Sequence, residues 1–279
     1  MRNDPITELV NAALASVPGV AAVVLGGSRA RGTATPDSDH DFGLYYESEV
    51  PIDVAALKDA ITPHLDDPRE CTITPIGEWG PRINGGAWLS IDGHKVDLLY
   101  RDLNKVRTAI EDCRAGRIVM DYQPGHPHGF CSSIYAGEIA TCRPLSDPNE
   151  VVDRLKAQTL PFPAALKQAV IAKFQWEVQF AIDNAALAVK RGEQTHVAGC
   201  AYRALCCAAQ VLFAINGRYL INEKAALIEA AAFPLTIARL DASVAEIWNA
   251  LGRRKFARLL KGLTAILEGL REAVALSAA

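Results

Sequence analysis

The sequence predicts an α+β chain, with a mixed sheet and flanking helices in its first half and an all-α helical bundle in its second. Short apolar, valine-rich runs broken by Gly, Asp or Pro recur through the first hundred or so residues. Asp92–Gly93 separates two such runs in the manner of a tight hairpin. After about Pro148 the chain turns rich in alanine and leucine at helical spacing, and strand signals nearly vanish. With 279 residues, half of them apolar (50%), two cores can be built. The expected division is 1–148 and 149–279.

Taken in order, Asp4 can cap a helix with Pro5 at its first position, and Ile6, Leu9, Val10 and Ala13 follow at helical spacing. Val20–Leu25 reads as a buried strand that stops at Gly26–Gly27, and Asp41–Glu47 as a second strand. Val54–Leu65 reads as a helix and Cys71–Pro75 as a third strand. Ala87–Ile91 and His94–Tyr100 flank the hairpin turn, Lys105–Cys113 returns to helix, and Gln123–Gly129 reads as a Gly-, Pro- and His-rich loop. Breaks at Pro161–Pro163, Gly192, Gly217 and Pro234 predict about five helices in the remainder.

Charge and cysteine content narrow the function classes. A formal net charge of -3 gives no global basic field, which argues against a dedicated nucleic-acid surface. Seven cysteines without a CxxC pair suggest reduced, mostly buried thiols. MRNDPITEL lacks the apolar core of a signal peptide, and the apolar run near Ala204–Ile215 is too short to span a bilayer. A soluble cytoplasmic protein without a membrane partner is the expectation.

Residues 26–41 carry the chemistry. Gly26, Gly27 and Ser28 follow an apolar run, and small residues before a helix let backbone N–H groups approach a phosphate. Ten residues separate Ser28 from Asp39, and Asp41 follows two positions on. In a strand, both aspartates would face one point. Mg²⁺ is commonly held by one or two carboxylates together with phosphate oxygens. Asp97 lies between Val96 and Leu98, where an aspartate is costly unless paired or bound to a cation. Arg101 is its bland partner; metal ligation beside Asp39 and Asp41 is the sharper one. A P-loop fails because Thr33 and Ala34 stand where it needs Lys and Ser/Thr, and an EF-hand loop fails at Phe42 and Ser48.

GG-S, ten residues, D-x-D in an apolar strand, and a separate apolar-D-apolar strand resemble the nucleotidyltransferase superfamily that includes DNA polymerase β. The helical second half is similar to that of two-domain members such as the aminoglycoside and lincosamide nucleotidyltransferases. The resemblance implies an N-terminal catalytic domain in which Gly26, Gly27 and Ser28 hold the triphosphate. It implies Asp39, Asp41 and Asp97 as ligands for two Mg²⁺ ions, with ATP or another nucleoside triphosphate as co-substrate. His40 departs from the aliphatic residue usual there, and should point away from the metal face.

Other positions carry two readings each. Arg29 and Arg31 are either phosphate donors or a solvated pair on a short helix. Lys224 either reaches the nucleotide or stays a surface or capping lysine. Glu138 is the favoured general base, against the commoner helix-surface acid. His126 and His128 could bind metal or simply shape a turn, Trp176 and Phe180 read as core, and Cys206–Cys207 as packing. The expected reaction moves AMP from ATP onto a hydroxyl of a small molecule such as an antibiotic. The rivals are a protein acceptor, as in AMPylating antitoxin-like enzymes, and a catalytically silent nucleotide-binding module. Homo-oligomerisation is left open.

Overall fold

The computed structural model describes residues 4–278. A six-stranded mixed sheet organises the first part of the chain. Its strands are β1 (Ala22–Leu25), β2 (His40–Tyr46), β3 (Thr72–Ile73), β4 (Gly86–Ile91), β5 (His94–Asp102) and, much later in sequence, β8 (Arg143–Ser146), in the order β3-β4-β5-β2-β1-β8. Only β2 and β5 run parallel; the other pairings are antiparallel. The β4–β5 hairpin turns at Asp92–Gly93 with φ of 50° and 72°, as the Asp-Gly pair predicted.

Helix α1 (Pro5–Leu14) is capped by Asp4, whose carboxylate accepts from the Thr7 amide. Helix α3 (Val54–Ile61) is capped by Asp53 in the same way, and a short 3₁₀ turn, Thr62–His64, extends it. Both helices lie on one sheet face, where Val10, Leu14, Leu57 and Ile61 pack with Phe42, Leu44, Val96, Leu98 and Tyr100. That core consumes every second residue of β2 and β5. The alternate residues, Asp41 and Asp97 among them, face the other way.

The five-residue helix α2 (Gly27–Arg31) follows β1 directly, α4 (Gly80–Ile83) precedes β4, and α5 (Leu103–Arg114) follows β5. The segment expected as a loop at Gln123–Gly129 is instead a hairpin of β6 (Met120–Gln123) and β7 (His126–Cys131). Pro124–Gly125 forms its turn, Gly125 taking a φ of 88°. Helices α6 (Ser133–Thr141) and α7 (Val151–Thr159) flank β8.

The rest is helical: α8 (Ala164–Lys190), α9 (Gln194–Ile215), α10 (Ala226–Ala231), α11 (Leu240–Gly252) and α12 (Phe256–Leu276). An additional break after Gly252 separates the last two helices. Helix α9 has the length and apolarity of a membrane-crossing helix, yet 72% of its apolar window is buried inside the protein. Trp176 and Phe180, expected in the core, are 62% and 51% exposed and stack on each other. Helix α8 buries the stripe through Val170, Phe174, Val178 and Ala181 instead. All seven cysteines are free thiols.

The chain forms two compact units: Met1–Glu111 with Glu138–Leu160, and Asp112–Gly137 with Pro161–Ala279.

Candidate active site

The glycine turn and the acid strand are built against each other. The Gly26 N–H donates to the Asp41 carbonyl at 2.7 Å, which pins the turn to the main chain of β2. Gly27 has a left-handed φ of 57°, and a β-carbon there would collide with Asp41 Oδ2. A side chain is excluded from this point, so the turn's backbone lies directly beside the carboxylate. Ser28 is half-buried in the first turn of α2, and its carbonyl accepts from Thr33 N at 3.0 Å.

Asp41 and Asp97 are register partners across the parallel β2–β5 pair. Phe42 and Leu98, next in each strand, are both in the core, so the two carboxylates leave the opposite face together. Adjacent strands run about 4.8 Å apart. Asp39 lies in the loop just before β2 and is half-buried. Arg29 braces that loop, its Nη2 donating to the Ser38 carbonyl at 2.8 Å and its Nε to the Asp39 carbonyl at 3.2 Å. Arg31 is exposed at the far end of α2.

Two hard carboxylates from neighbouring strands, next to a turn that presents only backbone, suit a Mg²⁺ ion whose other ligands are phosphate oxygens and water. As the side chains stand, no group of three or more His, Cys, Asp or Glu among the described residues is close enough to hold a metal ion. The donor set therefore fits through the Asp41–Asp97 pair.

His40 faces the core, 1% exposed, with Nε2 at 3.0 Å from Asp4 Oδ1. Its Nδ1 is buried without a hydrogen-bond partner. A neutral ring protonated at Nε2 satisfies both facts. Burial, opposed by the Asp4 hydrogen bond, holds the His40 pKa below its ordinary 6.5. Burial raises the Asp4 carboxyl, but the Thr7 amide and hydroxyl, with His40, outweigh it and hold the pKa at about 2. Through Asp4, the start of α1 is tied to the acid strand, and Arg29 Nη1 lies 3.9 Å from the same carboxylate.

Glu138 sits on α6 with both carboxylate oxygens taken by Arg101, at 2.7 Å each. Arg101 is 2% exposed and lies four residues beyond Asp97 on β5, about 13 Å along the strand. The carboxylate expected as the base is thus engaged in a bidentate ion pair, at a distance along the sheet from the acids. Trp88 is the cross-strand neighbour of Asp97 on β4. It is 56% exposed and stacks on Trp79 with ring centroids 4.4 Å apart. Neither tryptophan stood out in the sequence, although the alternation of buried Ala87 and Leu89 with Trp88 marks the face it takes.

In the second unit, His126 Nδ1 lies 3.2 Å from Glu223 Oε2, and Glu223 Oε1 accepts from the His128 amide at 3.0 Å. His128 Nε2 lies 3.4 Å from Cys207 Sγ. These histidines order the hairpin and the segment before α10. His128, Glu223, Tyr202 and Cys206 border a cavity of about 150 Å³. Lys224 is exposed in the turn before α10.

Residues 6–124 match the family model described as a nucleotidyltransferase domain. The first part of the chain is therefore a nucleotidyltransferase domain, and the enzymatic class it defines is transfer of nucleotidyl groups. No curated protein matches the chain in sequence. Among solved structures, the chain is similar to a nucleotidyltransferase-like protein from Exiguobacterium sibiricum 255-15, at 13% identity and a TM-score of 0.44, over 94% of this chain and 73% of that one.

Proposed function

We propose that the protein transfers a nucleoside monophosphate, AMP from ATP, onto a hydroxyl of a small molecule, with the sheet of the first unit carrying the chemistry. The observation that carries this reading is the pairing of Asp41 with Asp97 beside the side-chain-free turn at Gly27.

The backbone of Gly26, Gly27 and Ser28 receives the triphosphate, where amide N–H groups favour negative charge. Asp41 and Asp97 would hold a divalent cation, and Asp39 would join them as third donor only once its loop brings it in. When bound, that cation supplies charge neutralisation on the phosphates. Arg29 keeps the Ser38–Asp39 loop at its distance from β2 and leaves phosphate contact to the turn. The acceptor oxygen attacks the α-phosphorus in line, its bond forming as the bond to pyrophosphate breaks. The hydroxyl proton passes to the Asp97 carboxylate, on the side away from the turn. Most of the rate comes from positioning and preorganised charge.

Pyrophosphate release from Mg-ATP across a panel of hydroxylated small molecules tests the reading. Turnover by the native chain and its loss in Asp41→Asn and Asp97→Asn, both folded, are the expected results. Turnover that persists in both variants overturns it.

A further inference from the structure

Across one row of the sheet the order is the Gly26 main chain, Asp41, Asp97, Trp88. The acids stand in the middle. On one side of them lies the glycine turn and on the other an indole. Trp88 keeps 56% of its surface exposed, and the apolar core that could have absorbed it lies on the opposite face of the sheet. Trp79 backs it in a near-parallel stack, with 25° between the planes. The backing ring lies over Gly86, where a β-carbon would collide with the Leu98 carbonyl oxygen first and would also stand 2.9 Å from Trp79 Cζ3. The result is a flat apolar shelf, supported from behind, next to Asp97.

In-line displacement gives the shelf its occupant. With the triphosphate on the glycine turn, pyrophosphate leaves toward that side and the attacking oxygen enters from the other. The group that enters past Asp97 meets Trp88. We propose that Trp88, backed by Trp79, is the platform on which the acceptor stacks, and that the acceptor is a hydroxylated ring whose apolar face lies on the indole. The proposal rests on the transfer reading above and names its acceptor class. Stacking on an aromatic plane tolerates many substituents but requires a flat or disc-like partner. It therefore selects rings over open-chain polyols, while the edge hydroxyl of the ring points at the acids.

The experiment compares cyclic acceptors (myo-inositol, methyl glucosides, nucleosides) with glycerol and sorbitol, reading pyrophosphate release from Mg-ATP. Rings are turned over and open chains are not. Trp88→Ala raises the KM for the ring about tenfold or more and leaves the KM for ATP within about twofold, and Trp88→Phe restores most of the loss. Trp88→Gln serves as the second variant if the alanine form does not fold. A rise in the ATP KM instead means that the nucleobase occupies the shelf, and unchanged values mean that the stack is only packing; either overturns the proposal. Saturation-transfer NMR on the same rings separates it from the reading beneath it. A Trp88-dependent signal without turnover keeps the platform and removes the transfer reading. Turnover of open-chain polyols with no ring signal removes the platform and keeps the transfer reading, and silence in both assays removes both.

Discussion

The Asp41 carboxylate fills the space that a β-carbon on Gly27 would need. The glycine turn and the acid strand are thereby one steric unit: a side chain cannot be added at Gly27 without moving Asp41. Gly27→Ala must also place an L-residue at a φ of 57°. We expect it to cost about 2 kcal/mol or more in stability and to lower turnover on the order of a hundredfold. Thermal unfolding and pyrophosphate release on the same sample check both.

Arg29 spends its guanidinium on the carbonyls of Ser38 and Asp39. Arg29→Lys keeps the charge and loses the forked donation. If the residue acts by holding the loop, Lys and Ala variants should fall alike, about tenfold in turnover. Full retention by Lys would mean that charge alone is needed there.

The Glu138–Arg101 pair predicts a stability effect without a catalytic one. Removing the carboxylate leaves a guanidinium that is 2% exposed without its bidentate partner. Glu138→Ala should cost about 3 kcal/mol by denaturant unfolding. Turnover per folded molecule should stay within about threefold, whereas loss of a general base costs roughly a hundredfold or more.

His40 predicts a pH dependence of stability. Its folded pKa lies below 6.5, burial being the first cause, so on acidification the unfolded chain takes the proton first. Its contribution is complete above 6.5 and is lost as pH falls from there toward the lowered folded value. Asp4 behaves as a depressed acid: its contribution is present above 3.8 and lost toward about 2. Between about pH 7 and about pH 5 the two histidines with lowered pKa, His40 and His128, set the slope. Urea midpoints should therefore fall over that range, and His40→Leu should flatten the fall. His128, whose pKa burial also lowers, leaves a residual slope.

What is local could be read from the sequence. The caps at Asp4 and Asp53, the Asp92–Gly93 turn and the change of composition after Pro148 each depend on a few neighbouring residues. The strand pattern at β2 and β5 is likewise local, since alternation alone puts Asp41 and Asp97 on the faces opposite Phe42 and Leu98. What depends on register or long loops was hidden. Nothing in sequence sets Trp88 opposite Asp97, or brings Glu138 to Arg101 across 37 residues. The β6–β7 hairpin escaped notice because Gly, Pro and His dilute its alternation. Trp176 and Phe180 have core spacing, but a helix buries one stripe, and in α8 the Val170–Phe174–Val178 stripe takes it.

The weave of the chain between its two units has a practical consequence. Residues 112–137 belong with the late helices and 138–160 with the early strands, so the polypeptide passes from one unit to the other three times. No single scission releases either unit whole. Homologous modules could not be exchanged here as cassettes by one crossover; a viable graft would need three junctions, placed near residues 111, 137 and 160.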